Sequence, residues 1–259
     1  MLCAVTLAAR PDFTVTAVTC HDDHARWSAP EIRGDHRIVL VRRGRFRRQA
    51  DGVDADLDPT LGYLGAPGEE ERFAHPAGGD VCTSVSIAPG FWEGRASAGP
   101  VYMDARVELA HHRVLGAAVG GDIDYAVTEE LLRLVVAATG RSVPHPRPGD
   151  RVLVAAARHA IRADVPEAAG LRSLAGVLGV SPYRLSRVFS RHMGVSLTHY
   201  RNRVRVGRAV SRLADGETAL AALAAELGFA DQSHLTRTIR EHLGHTPAVL
   251  RGLLADGPK

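Results

Sequence analysis

Gly228-Phe-Ala-Asp-Gln-Ser-His-Leu-Thr-Arg-Thr-Ile-Arg-Glu-His-Leu-Gly-His-Thr-Pro247 is the stretch from which the fold of this chain is read. A Gly-Phe turn precedes Asp231, whose carboxylate suits the N-cap of a helix running to Leu243, and Gly244 and Pro247 end it. Leu235, Ile239 and Leu243 recur every four residues and make one face apolar, while Gln232, Ser233, Thr236, Arg237 and Arg240 occupy the other. Short hydrogen-bonding side chains and arginines near a helix N-terminus match the donor and acceptor pattern of base edges in a DNA major groove. Just upstream, Thr218 to Leu227 reads as a short Ala-rich helix with Ala219, Leu220, Leu223, Ala224 and Leu227, and Gly228 supplies the turn. Helix, Gly-containing turn and polar-faced helix make a helix-turn-helix arrangement; on its own, an apolar helical hairpin could equally be plain core.

The arrangement occurs twice. About fifty residues earlier, Leu171, Leu174, Ala175 and Leu178 mark an apolar helix, Gly179-Val180 a turn, and Ser181-Pro182 the cap and first residue of a new helix. That helix, Tyr183-Arg-Leu-Ser-Arg-Val-Phe-Ser-Arg-His-Met193, is expected to bury Leu185, Val188 and Phe189 and to expose Tyr183, Arg184, Ser186, Arg187 and Arg191 before Gly194 stops it. Between the copies, Ser196 to Leu213 reads as one long helix with Tyr200, Val204, Ala209 and Leu213 inward. Its Arg201, Arg203, Arg205, Arg208 and Arg212 are expected to be available to phosphate or solvent. Two reading helices on one rigid connector can enter successive major-groove segments on one face of a duplex.

Leu174-Ala-Gly-Val-Leu-Gly-Val-Ser-Pro-Tyr-Arg-Leu-Ser-Arg-Val-Phe189, Gly194, Gly228-Phe-Ala-Asp-Gln-Ser-His-Leu-Thr-Arg237 and Gly244-His-Thr-Pro247 together resemble the DNA-binding domain of the AraC/XylS family of transcription regulators. The resemblance spans roughly Pro148 to Arg251, including a first helix near Asp150 to Arg162. Leu235 and Ile239 stand where the family usually has Phe, and Leu250 where it often has Tyr; these are apolar exchanges that alter packing detail. The resemblance implies sequence-specific binding of double-stranded DNA. Arg184, Ser186 and Arg187 of the first reading helix and Gln232, Ser233, His234, Thr236 and Arg237 of the second are the expected DNA-facing residues, with Tyr183 and Arg191 on the backbone. Asp231 and His234 are expected to serve partly in capping and packing. RNA polymerase, a small-molecule or ion effector and a second copy of the chain are further expected partners, and no membrane is. A pure interaction module would need exposed apolar anchors where these helices are polar.

Charge divides in the same place. Residues 150–259 hold 16 Lys and Arg against 9 Asp and Glu, whereas residues 1–149 hold 16 against 20. A basic half beside a mildly acidic one is the electrostatic footprint of a nucleic-acid-binding module, because each neutralised phosphate releases counterions. At 259 residues the chain accommodates two ordinary domains. No run approaches eighteen apolar residues, and Met1-Leu-Cys-Ala-Val-Thr-Leu-Ala-Ala-Arg-Pro has no basic segment ahead of its short apolar run, so a cytoplasmic protein is expected. Three scattered cysteines, Cys3, Cys20 and Cys82, do not make a disulfide framework.

In the first half, Phe13 to Cys20 alternates at strand period, and Arg37 to Arg42, Gly44 to Ala50, Leu61 to Leu64, Glu70 to Ala74, Val81 to Ala88 and Val101 to Asp104 read as further strands, with Asp51-Gly52 a turn. Close, regular spacing suggests a small barrel or sandwich. Ala105 to Val119 and Tyr125 to Thr139 then change to helical period, joined by Gly120-Gly121-Asp122. The expected fold class is therefore α+β: a small β-barrel or sandwich with a helical hairpin, followed by an all-α domain with two helix-turn-helix motifs; the family resemblance implies that the first part is a cupin-like β-barrel. The hairpin and barrel are similar in order to the sensing and dimerisation domain of AraC/XylS members. The expected domains are 1–140 for sensing and dimerisation, a Pro-rich linker at 141–149, and 150–259 for DNA binding, with helix-turn-helix units near 171–193 and 218–243. Arg42, Arg43, Arg45, Arg47 and Arg48 read either as a charge-protected edge strand or as a site for an anion or DNA backbone.

Cys20-His-Asp-Asp-His24 closes one strand, and His75 and Cys82 flank a turn between two later ones. In a small barrel Cys20, His24, His75 and Cys82 can converge as two thiolates and two imidazoles, a tetrahedral set for zinc and, through the thiolates, for monovalent copper. His21 could stand in for His24. Two other readings stay open: Cys82 as a small buried hydrophobe with His75 capping a turn, and a redox- or electrophile-sensing thiol. No Gly-x-Ser-x-Gly, phosphate-cradling loop or His-Glu-x-x-His is present. The function expected is a DNA-binding transcription regulator controlled by a ligand, metal or redox signal at its first domain, and not an enzyme. The alternative is a cupin-type metal enzyme fused to a DNA-binding module.

Overall fold

A computed structural model describes residues 2–23, 25–91, 98–139 and 148–255, which fall into two compact units, Met1–Ser142 and Val143–Asp256. The Pro-rich stretch up to residue 147 lies outside the described residues, and Pro148-Gly149 already belong to a helix.

The described residues of the first unit form ten strands, of which β2, β5 and β9 alternate most clearly between buried and outward side chains: β1 Leu2–Arg10, β2 Phe13–Cys20, β3 Glu31–Ile32, β4 His36–Gly44, β5 Phe46–Ala50, β6 Val53–Leu57, β7 Leu61–Gly65, β8 Glu70–Ala74, β9 Asp80–Ile87 and β10 Gly99–Tyr102. They pair antiparallel in two sheets, ordered β1-β2-β9-β4-β7-β10 and β3-β8-β5-β6. Asp51 and Gly52, with φ of 46° and 80°, supply the tight turn that joins β5 to β6. Among the described residues the sheets stay open and do not close into the expected barrel. An apolar sheet face needs cover, and here helices provide it. Asp104 caps helix α1, Ala105–Gly120, by accepting from the Arg106 and Val107 amides; a π-helical turn at Ile123–Val127 leads into α2, Thr128–Thr139. Val107, Val114, Leu131 and Leu134 share one core with Val15, Ile38, Leu40, Val85 and Ile87 of the six-stranded sheet.

The arginine-rich stretch sits on neither edge, which overturns the edge-strand reading. β4 lies between β9 and β7, and β5 between β8 and β6. Arg48 is buried, donating to Glu71 at 2.6 Å with its guanidinium 4.2 Å from the Tyr63 ring centroid, and Arg47 pairs with Asp54 at 2.7 Å. A paired cation is how a buried arginine is tolerated in a sheet interior.

The second unit is all helix: α3 Pro148–Ala163, a 3-10 turn at Pro166–Ala169, α4 Leu171–Val177, α5 Pro182–Met193, α6 Leu197–Ala214, α7 Leu220–Glu226, α8 Gln232–Leu243 and α9 Pro247–Ala255. Leu185, Phe189, Tyr200, Leu223, Leu235, Ile239 and Leu250 are completely buried at its centre, with Phe189 set edge-on to Tyr200 at 5.1 Å. No helix among the described residues is long and apolar enough to cross a membrane.

Candidate nucleic-acid interface and a buried Cys-His-Asp cluster

Helices α5 and α8 are built to one plan. The Ser181 hydroxyl accepts from the Arg184 amide at 3.2 Å and Asp231 Oδ1 from the His234 amide at 2.7 Å. Gly194 and Gly244, with φ of 70° and 76°, end the helices, donating to the carbonyls of Ser190 and Arg240. The turns before them also repeat: the Val180 amide donates to Ala175 O at 3.0 Å, and the Phe229 amide to Ala224 O at 2.9 Å. Gly179 and Gly228 take positive φ in those turns, at 65° and 72°.

Tyr183, Arg184, Arg187 and Arg191 on α5 are exposed, as are Gln232, Ser233 and Arg237 on α8; Ser186, His234 and Thr236 are half-buried. The exposed cations are already oriented. Arg187 donates to the Tyr183 hydroxyl at 2.5 Å, and Arg184 lies 3.9 Å from Asp150 of α3. His234 is tied into its turn: Nδ1 accepts from the Ala230 amide at 3.3 Å, and the ring stands edge-on to Phe229 at 5.3 Å. Its amide and ring thus serve the cap and the turn.

The α6 arginines differ from expectation. Arg203 is buried. Arg201 donates to the Ala169 carbonyl, and Arg208 to Asp164 at 3.0 Å and the Arg162 carbonyl at 2.7 Å. Arg212 bridges Glu217 and Glu226 at 2.8 and 2.7 Å, and Arg205 lies over the Phe229 ring at 5.7 Å. These side chains fasten α6 to the end of α3, the 3-10 turn and the α7-α8 turn. They make α6 the brace of the unit, a role that a periodicity placing them outward does not reveal.

In the first unit, three groups meet where β2 ends and β9 begins. Cys20 and Asp80 are cross-strand partners, and His75 follows β8. One ligand atom from each of Cys20, His75 and Asp80 lies within 4.8 Å of the other two. His75 Nε2 is 3.1 Å from Asp80 Oδ1, and Cys82 Sγ donates to Asp80 Oδ2 at 2.8 Å. Of the expected Cys20, His24, His75 and Cys82 set, Cys20 and His75 converge, Cys82 touches the cluster through Asp80, His24 lies outside the described residues, and His21 is exposed. Asp80 is the residue the motif search passes over; standing two before Cys82 on the same strand face, it was within reach of the period-two rule. Burial, the Asp80 carboxylate and its hydrogen bond push the Cys82 thiol far above its ordinary range, and burial also raises Cys20. Both shifts favour the protonated thiol over the thiolate.

Residues 174–252 match the family described as a helix-turn-helix domain. That range takes in both α4-turn-α5 and α7-turn-α8 of the second unit. Regulatory protein PocR of Salmonella typhimurium is 28% identical over 106 residues, 41% of this chain and 35% of that protein, so the chain covers about a third of this curated relative's length. An AraC-type DNA-binding regulator of Chromobacterium violaceum is 24% identical over 43% of this chain and 100% of that one, with a TM-score of 0.39. ToxT of Vibrio cholerae is 12% identical over 95% and 99%, with a TM-score of 0.38.

Proposed function

We propose that the chain is a sequence-specific transcription regulator that reads double-stranded DNA through α5 and α8 and is controlled by a chemical signal received in its first unit. The observation that carries the reading is the duplicated construction of α5 and α8: same caps, same turns, and an exposed polar face opposite a fully buried one, with one braced helix between them. A helix that presents arginine, serine and glutamine at its first turns, with its own amides capped, offers bidentate donors and acceptors to base edges. The pairing of Arg187 with Tyr183 reduces the side-chain entropy that binding must remove. The first unit, which carries the Cys-His-Asp cluster, gives the signal a place to act.

The test is selection of a bound site from randomised duplexes with the full chain, followed by binding of Arg187→Ala and Arg237→Ala to the selected and a scrambled site. Each substitution is expected to weaken binding to the selected site by about 1–3 kcal/mol and to lower the ratio between the two sites. An unchanged ratio for both variants would show that these arginines hold backbone and do not read sequence.

A further inference from the structure

Asp80 is 6% exposed, yet its Oδ1 accepts no hydrogen bond among the described residues and faces His75 Nε2 at 3.1 Å. Its other oxygen accepts from the Cys82 thiol at 2.8 Å, which leaves Oδ1 beside His75, and a carboxylate oxygen of Asp80 lies within 4.8 Å of ligand atoms of both Cys20 and His75. The scaffold around this point is tight. A Cβ on Gly79 would come within 2.4 Å of the Cys20 carbonyl, one on Gly44 within 2.4 Å of the Gly79 carbonyl, and the Gly79 amide donates to the Asp22 carbonyl at 2.9 Å. The His75 ring packs beside Phe46 with centroids 5.8 Å apart. Strand register, loop and ring are thus held before any ligand arrives.

We propose that Cys20 Sγ, an imidazole nitrogen of His75 and Asp80 Oδ1 form a zinc(II) site with three protein ligands, joining the ends of β2 and β9 to the loop after β8. Ligands on a four-coordinate zinc at about 2.0–2.3 Å stand roughly 3.3–3.8 Å from one another, so ligand atoms within 4.8 Å need only a small inward movement. The donor set selects the ion. One thiolate and one carboxylate cancel the charge of a divalent cation, which suits a buried place. A thiolate with an imidazole disfavours magnesium and calcium, and a carboxylate disfavours monovalent copper. Asp22, whose Oδ2 lies 3.6 Å from Cys20 Sγ, is positioned to hold a water in the fourth place. Cys82 orients Asp80 and is not a ligand, which departs from the two-thiolate set suggested by the sequence.

The experiment is a cobalt(II) titration of the full chain after chelator treatment, in a Cys3→Ser background because Cys3 is an exposed thiol. One cobalt per chain is expected, with a sulfur-to-cobalt charge-transfer band, strong four-coordinate visible absorption, and stoichiometric displacement by zinc. Cys20→Ser should abolish the charge-transfer band and Cys82→Ser should keep it, while His75→Gln and Asp80→Asn should weaken binding at least tenfold. Absence of the band in the parent protein overturns the site whatever the variants do, and so does a band that survives Cys20→Ser. Loss of the band in a folded Cys82→Ser protein would overturn the assignment of Cys82. Tryptophan emission reports folding of each variant, and no arm requires DNA binding.

Discussion

His111→Gln should flatten the acid limb of the first domain's stability. His111 projects from α1 onto β9, where its Nε2 lies 2.8 Å from Thr83 Oγ1, and it is almost fully buried. Burial, followed by Coulombic repulsion from His112 and Arg42, lowers its pKa from 6.5 to about 3. The fold therefore holds the neutral ring, while the unfolded chain takes up a proton below pH 6.5. A depressed pKa contributes stability that is complete above pH 6.5 and is lost as pH falls toward 3. Integrating between pH 7 and 5 gives a loss of about 2 kcal/mol from this one group. Glutamine keeps a partner for Thr83 and has no proton to gain. Both tryptophans, Trp27 and Trp92, belong to the first unit, so urea unfolding followed by their fluorescence reports that domain alone. The native protein should lose about 2 kcal/mol more than the variant over this interval, the carboxylate contributions cancelling in the difference. Parallel pH profiles would refute the claim that His111 is held neutral.

Gly228→Ala should destabilise the second domain more than Gly179→Ala. Both positions have positive φ, worth about 1 kcal/mol to an L-residue, but only at Gly228 would the new Cβ meet a neighbour, Arg205 Nη2 at 2.6 Å; helical circular dichroism in thermal unfolding checks the order, and equal costs would mean that Arg205 moves aside freely. Asp231→Ala should cost about 1 kcal/mol through loss of the cap on His234, and Asp231→Asn should restore most of it. If the asparagine variant is as unstable as alanine, the carboxylate acts by its charge and not by its hydrogen bond.

The helices were legible because their signals are local. Caps, glycine stops and four-residue apolar spacing all lie within one turn of the residue they govern, and α5 and α8 begin and end at the residues those signals name. Strand period gave β2 and β8 their full extents for the same reason. What was not legible is pairing. β1, a largely exposed strand, and β6, which follows the Asp51-Gly52 turn, carry little alternation of hydrophobicity. The choice between a closed barrel and two open sheets depends on whether a strand face is covered by another sheet or by α1 and α2, a contact between residues far apart in sequence. The Cys-His-Asp cluster shows the same limit. Cys20 and His75 stand out as residue types, but Asp80 is one of 29 acidic residues until register places it opposite Cys20.

Net charge is blind to partners for a related reason. An excess of basic residues in the second half signals affinity for phosphate only through cations that the fold leaves facing solvent. Arg201, Arg208 and Arg212 are engaged with carbonyls or carboxylates of their own domain, Arg205 packs over Phe229, and Arg203 is buried. Breaking such contacts to reach DNA would give up with one hand what the phosphate returns. Arg184, Arg187 and Arg191 on α5 and Arg237 and Arg240 on α8 are exposed, as the proposed reading of DNA requires. Even there the α3 carboxylate of Asp150 lies 3.9 Å from Arg184 and holds His192 at 3.4 Å. The basic composition thus divides by position: the α6 arginines brace the unit, and those on α5 and α8 face solvent, where the proposed reading of DNA needs them.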